Sequence, residues 1–383
     1  MRVIIYEDNQ EKFYPLTNLF PQFGLRLGAK VIAEHTASFF KRNKMAFAAR
    51  AQFGLESVRP AQPSLYLSGR LLLNENFRLP AVDTELKIES ETVGFFKKTP
   101  PYPNTLDEIK EVITGMKESK QVNGMVVRNI WDLITHNTTM LIKHYSLERR
   151  KGSTIRNAYV KGKNIHVAKG AKVHKLTFLD ATDGPIFIDR DAEVRPFSTV
   201  IGPSYIGTGA IIDQAKVVRS SIGPYCRIGG EVEDSIFQGY SNKHHEGFIG
   251  HSFIGEWVNL GALTTNSDLK NNYGTIRVHI CGKDHDTGAI KLGCFIGDHS
   301  KLGIGTLIPT GAVIGSFVNF AGGGMMPRFV RDFQWIVGRE EEDYDLEKAI
   351  RTAQIVMKRR NVNMSRQYKE TIRFLHGKIC RSN

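Results

Sequence analysis

Residues 290–320 read IKLGCFIGDHSKLGIGTLIPTGAVIGSFVNF, and within them Ile290, Ile296, Leu302, Ile308, Ile314 and Phe320 fall six residues apart. That interval fits neither the period of a helix, near 3.6, nor the two-residue alternation of a strand. Glycine follows at Gly297, Gly303 and Gly315, where a small residue lets the chain turn a tight corner. The same interval joins Ile188, Val194, Val200, Ile206, Ile212 and Val218. Hexads of this kind build a parallel β-helix of three flat faces, each hexad pointing one aliphatic side chain inward. Val167, Val173 and Leu179 begin the rhythm, and Gly322-Gly323-Gly324 with Pro327 interrupts it. The expected solenoid is a left-handed β-helix over 153–338, about eight or nine coils of about eighteen residues each.

Before it, Val3 to Tyr6 is a short apolar run ending in Glu7-Asp8, the pattern of a buried first strand in an α/β domain. Leu65 to Leu73 and Val93 to Phe96 read as further strands, and Pro100, Pro101 and Pro103 close the domain at 1–103. Thr105 and Glu108 form a capping-box signature ahead of Leu106, Ile109, Ile113 and Met116. Ile130, Leu133, Ile134 and Leu141 mark a second helix ending before Glu148-Arg149-Arg150, so 104–152 is expected as a helical linker. Leu346, Ile350, Ala353 and Met357, then Tyr368, Ile372 and Leu375, predict two amphipathic helices in 339–383 that cap the solenoid's open end.

The 383 residues carry a formal charge of +13, which favours anionic partners. The basic residues are dispersed, without the stripe or motif of a nucleic-acid binder, so phosphorylated small molecules lead and no nucleic-acid partner is expected. Cys226, Cys281, Cys294 and Cys380 show neither a CxxC pair nor metal-ligand spacing. Reduced thiols, the charge that follows the first apolar run, and the lack of a long apolar stretch predict a cytoplasmic chain with no membrane partner.

Two departures from the rhythm carry the chemistry. Residues 231–247 lose the strict hexad phase, and 264–289 insert a polar loop. Loops thrown from a rigid scaffold keep fixed roots while their side chains converge. His244, His245 and His251 cluster between them, and a neutral imidazole can take the proton of an attacking amine. Each could also be a solvated surface residue. A zinc site is disfavoured: ligand pairs in hexapeptide carbonic anhydrases have four residues between them, and no pair here does, so no metal is expected.

The strings GGEVEDSIFQGYSNK from Gly229 and GEWVNLGALTTNSDLKNNYG from Gly255 resemble the GlmU-like family. The coil resembles the acetyltransferase half of the bifunctional bacterial enzyme of UDP-N-acetylglucosamine biosynthesis. The whole chain resembles a branch whose nucleotidyltransferase-like domain is shortened. The resemblance implies a hexapeptide-repeat acetyltransferase, a homotrimer with acetyl-CoA lying along the groove near residues 293–315. The acceptor would be an amino-sugar phosphate or a nucleotide-linked amino sugar.

His245 precedes Gly250 as the family's catalytic His precedes its Gly, which makes His245 the implied base and His244 its rival. Arg195-Pro196 matches the family's phosphate-binding Arg-Pro. Asn272-Tyr273 matches its Asn-Tyr pair when four extra residues are allowed. Lys243 and Lys270 are candidate substrate cations, and Arg328 and Arg331 candidates for the acetyl-CoA phosphates. Two positions depart from the pattern. Phe248 replaces a tyrosine, and Glu231, Val232, Glu233 and Asp234 stand where a lysine is expected, a like charge toward a sugar phosphate. In the first domain the Gly-rich loop with its Arg and Pro-Lys is absent. Gly24, Arg26 and Gly28 in Gly-Leu-Arg-Leu-Gly are the remaining nucleotide-binding candidates, with Mg²⁺ needed only if nucleotidyl transfer occurs. A sugar-1-phosphate nucleotidyltransferase and an inactive trimeric scaffold remain the alternatives.

Overall fold

The computed structural model describes residues 1–55, 62–147, 155 and 158–379. The chain forms two compact units. Met1–Phe13, Leu19–Leu25 and Lys30–Ile130 make the first; Tyr14–Asn18, Arg26–Ala29 and Trp131–Asn383 make the second. No helix among the described residues is long and apolar enough to cross a membrane.

The first unit is a six-stranded mixed sheet in the order Lys44–Ala48, Arg2–Tyr6, Ser64–Ser68, Glu91–Lys97, Thr84–Ile88, Ser119–Gln121. Arg2–Tyr6 lies between two parallel neighbours, which explains its unbroken apolar run. The expected strand 65–73 splits in two because the chain turns at Gly69 and Arg70. Thr105 caps the helix Leu106–Thr114 by accepting from the Glu108 amide at 3.2 Å, and Glu108 reaches back to the Asn104 amide at 2.7 Å.

The unit does not close at residue 103. Ile109 buries against Ile4, Tyr66 and Phe95, Ser119–Gln121 pairs with Thr84–Ile88, and Gly124–Val126 pairs with Leu71–Leu73. The expected linker is therefore divided: its first helix completes the sheet, and the helix Ile130–Leu147 passes into the second unit. The junction at 152/153 and Cys380 lie outside the described residues.

The second unit is a parallel β-solenoid. One face stacks nine strands, from Ile165–Val167 to Phe329–Val330. The other two faces merge into one sheet where Ile211–Val218 and Arg227–Glu233 run through the corner between them. Ile188, Val194, Val200, Ile206 and Ile212 are fully buried, as are Ile296, Leu302, Ile308 and Ile314 to within 2%. Ile290 is 52% exposed, because it still belongs to the inserted loop. The register shifts between Ile212 and Ala215, so Val217, and not Val218, stacks on Val200. The final strand Gln334–Val337 is covered by the antiparallel strand Glu340–Asp343, whose row of carboxylates discourages further pairing.

One corner is built from large rings instead of glycine. Tyr225, Tyr240, Trp257, His299, Phe317 and Phe333 all adopt φ between 53° and 62°. Their rings stack in sequence with centroids 5.1, 4.2, 6.1, 4.8 and 4.6 Å apart. A left-handed non-glycine residue costs about 1–2 kcal/mol, and burial with ring stacking offsets it. The helices Leu346–Lys358 and Arg366–Ile379 lie along this ladder and not over the open end. Tyr368 Oη is 3.0 Å from His299 Nε2, and His376 meets Phe333 edge-on at 5.0 Å.

Candidate active site

Val173, Val194, Ile212, Ile228, Lys243, Leu260, Leu302, Phe320 and Ile336 form the inward column of one solenoid face. Lys243 is the single charged member. It is 1% exposed, so it cannot be the substrate cation its charge suggested. Its ammonium lies beneath Gly230, where a Cβ would come within 2.7 Å of Nζ, and donates to the His245 carbonyl. Burial pushes its pKa down to about 8. The lysine thus holds from inside the turn that carries both candidate bases.

The residue after each inward side chain faces outward along the same edge. Arg195 follows Val194, Asp213 follows Ile212, Gly229 follows Ile228 and His244 follows Lys243. Because Gly229 has no side chain, Asp213 and His244 approach across it, with Oδ2 3.5 Å from Nε2. Arg195 Nη1 donates to Asp213 at 2.8 Å and Nε lies 3.4 Å from Glu193, which in turn is 3.0 Å from His174. The structure therefore brings Arg195, Asp213 and His244 together. Burial lowers the His244 pKa, and His245, Arg227 and Arg195 lower it further against the pull of Asp213. The His245 ring is exposed, set edge-on to His244 at 5.4 Å. Asp213 escaped sequence reading; aligning the inward column turn by turn would have found it.

The acidic segment is neutralised within the chain. Lys216 holds Glu231 at 2.7 Å, and Arg219 pairs with Glu233 and, through Nε at 2.9 Å, with Asp234. Neither Lys243 nor Lys270 supplies this compensation. Beside it, His251 Nδ1 is 2.7 Å from Asp268 Oδ2, and its other nitrogen is 3.5 Å from Asp234. That hydrogen bond keeps the Asp268 carboxyl below its ordinary range. A carboxylate that fixes one imidazole nitrogen leaves the other oriented for proton transfer, a pattern the spacing of the histidines does not disclose.

The inserted loop carries an antiparallel hairpin, Arg277–Ile280 with Lys283–Asp286. Its root forms an open groove of about 760 Å³ lined by Thr265, Asn266, Lys270, Asn272, Leu307 and Met325, among others. Lys270 and Asn272 therefore share a groove; Tyr273 does not line it and stands 69% exposed. Lys270 Nζ donates to the Thr275 carbonyl, and Asn272 Oδ1 accepts from the Gly274 amide at 3.1 Å, so both also shape the loop. Arg328 donates to the Arg277 carbonyl at 2.6 Å and Arg331 pairs with Asp343; both are engaged by their own chain. Among the described residues no three His, Cys, Asp or Glu side chains gather as metal ligands.

Arg26 and Gly28 lie on the solenoid unit. Arg26 donates to the Gln238 side chain at 2.8 Å through its amide, and its guanidinium to the carbonyls of Gln238 and Ala29, each at 3.2 Å. The Gly28 amide donates to Asn137 at 2.9 Å, and a Cβ there would strike Met140 at 2.8 Å. Both residues anchor backbone, which corrects their reading as phosphate holders. Gly24 ends a short 3₁₀ turn in the first unit. The carboxylates after the first strand are answered by cations: Glu7 by Arg50 at 2.8 Å, Asp8 by Arg70 at 2.6 Å.

Residues 3–151 match the family model described as sugar nucleotidyl transferase. A bifunctional sugar-1-phosphate nucleotidylyltransferase/acetyltransferase from Sulfurisphaera tokodaii is 34% identical over 159 residues, 38% of this chain and 38% of that protein. The bifunctional protein GlmU of Thermotoga sp. strain RQ2 is 25% identical over 296 residues, 68% of this chain and 58% of that protein. The GlmU of Trichodesmium erythraeum is 28% identical over 148 residues, 38% and 28%. These matches span from 28% to 58% of the relatives' own length. A nucleotidyl transferase-like unit followed by a hexapeptide solenoid defines the class. Over these stretches the chain is similar to proteins of the GlmU-like family.

Proposed function

We propose that this chain is an acetyltransferase, moving an acetyl group from acetyl-CoA to the amine of an amino-sugar phosphate or nucleotide-linked amino sugar. His245 takes the amine's proton. The freed nitrogen attacks the thioester carbonyl, and collapse of the tetrahedral oxyanion expels the CoA thiolate. Arg195 receives the sugar phosphate through the guanidinium edge it now offers to Asp213. The groove beside Leu307 and Ile308 accepts the pantetheine arm, with Lys270 and Asn272 at its rim. The observation that carries this reading is the buried Lys243 ammonium bound to the His245 carbonyl, in a turn whose exposed His245 imidazole lies 5.4 Å from the His244 ring that meets Asp213. A cytoplasmic homotrimer, in which a neighbouring copy closes the open side of His245, is part of the proposal.

One observation favours a second base. His251 is held by Asp268 at 2.7 Å, a shorter imidazole–carboxylate contact than that of His244 with Asp213 at 3.5 Å. Thiol release from acetyl-CoA with a panel of amino-sugar phosphates separates the two. His245→Ala is expected to abolish it and His251→Ala to leave most of it; the reverse result moves the base to His251. The paired Glu7 and Asp8 argue against nucleotidyl transfer by the first unit, and pyrophosphate release from nucleoside triphosphates is expected to be absent.

A further inference from the structure

On the outer surface of the solenoid face that carries Lys243, Arg227, Asn242, Asn259, Lys301 and Asn319 stack in register. The end of the helix Leu346–Lys358 and the turn after it lay Val356, Arg359 and Arg360 over this column. Between them lies a cavity of about 320 Å³, lined also by Tyr240 and Trp257. Arg360 Nη2 donates to Asn242 Oδ1 at 2.7 Å, and Lys301 Nζ donates to the carbonyls of Trp257 and His299 at 2.6 and 3.0 Å. Among the described residues Lys301, Arg359 and Arg360 have no carboxylate partner.

We propose that this cavity binds the phosphoryl or diphosphoryl group of a small molecule, held by Arg359, Arg360 and Lys301 with the amides of Asn242 and Asn259. Three cations without counter-charge match a polyanion, because each guanidinium fork pairs with two oxygens and the ammonium adds a point charge. A carboxylate offers one charge and two oxygens, too few for this donor set. A nucleobase would need a free aromatic face. Trp257 has none, since Tyr240 stacks on it at 4.2 Å and His299 lies beyond at 6.1 Å. The site therefore reads charge and not a ring. Burial pushes the Lys301 ammonium down to about 7, and burial followed by Arg227 and Arg359 lowers Arg360; an entering anion reverses both effects.

Arg195, assigned above to the sugar phosphate, does not line this cavity, and the site goes beyond the acetyl-transfer reading. Isothermal titration of the full chain with inorganic pyrophosphate, inorganic phosphate and acetate tests it without turnover. Wild-type protein is expected to bind pyrophosphate at least ten-fold more tightly than acetate. Arg359→Gln, a change that removes no described contact, should weaken pyrophosphate ten-fold or more, Arg359→Lys should restore part of that, and Lys110→Gln, an exposed position on the helix Leu106–Thr114, should leave it unchanged. Thermal melts establish that each variant is folded. Unaltered pyrophosphate affinity in folded Arg359→Gln and Arg360→Gln would overturn the proposal. So would acetate binding as tightly as pyrophosphate. A change of oligomeric mass in those variants, with pyrophosphate affinity intact, would assign the cavity to an acidic segment of another copy and equally refute it.

Discussion

The end of the first strand in the N-terminal unit and the flank of the solenoid use charge in opposite ways. Glu7 and Asp8 are each met by an arginine, and Arg70 reaches on to Glu91 at 2.7 Å. On the solenoid, Lys301, Arg359 and Arg360 surround a cavity with no acid among the described residues to answer them, and Lys243 sits in an apolar column. Saturated charge builds structure. Unsaturated charge in a half-enclosed place is retained where a ligand or a backbone group completes it. The relatives' nucleotidyl transferase name attaches to the unit whose first-strand carboxylates are paired.

The contrast can be attacked at points of decreasing leverage. His245→Ala is expected to lower kcat for thiol release about 100-fold or more, the usual range for losing a general base, read by a thiol-reactive dye. Phe317→Ala removes a rung buried between His299 and Phe333 and should cost about 3–5 kcal/mol in chemical denaturation. Lys243→Met should keep the fold but slow thiol release about ten-fold by loosening the His245 turn.

The same variant has a pH signature. Folding lowers the Lys243 pKa from 10.5 to about 8, so between those values the unfolded chain binds more protons and this residue makes stability rise with pH. Lys243→Met should flatten the rise seen by denaturant titration from pH 8 to pH 10. Asp268→Asn has the smallest expected effect, about 1 kcal/mol at neutral pH. The carboxyl is depressed by His251, so its contribution is present above its unfolded pKa and fades as pH falls through the folded value. Equal stability of wild type and Asp268→Asn at neutral pH would show the His251 pair to be energetically idle.

The solenoid was legible because one inward aliphatic per face repeats at a period no other element shares. The histidine corner was legible as a cluster, but its wiring was not. Lys243 reads as a surface cation until the turns are stacked, and Gly229 as a corner glycine until its missing side chain is seen to let Asp213 reach His244. The aromatic ladder eluded the sequence because Tyr225, Tyr240, Trp257, His299, Phe317 and Phe333 are unevenly spaced, the hairpin insertion falling between two of them. Arg26 and Gly28 look like a phosphate loop but serve as anchors, since a Gly-flanked arginine is equally suited to close backbone contact. The cavity at Arg359 needed residues far apart in the chain, which no local pattern connects.

Where the register slips at Ile212, the girth of the coil contracts: Ile212 stacks on Ile228, Ile228 on Lys243 and Lys243 over Leu260. The histidines ride on these narrowed turns. Lengthening one by a single residue would relax the coil toward its regular girth while rotating every following side chain about the axis, carrying the imidazoles off the ridge they share with Arg195. In this segment loop length, more than residue identity, sets which groups meet.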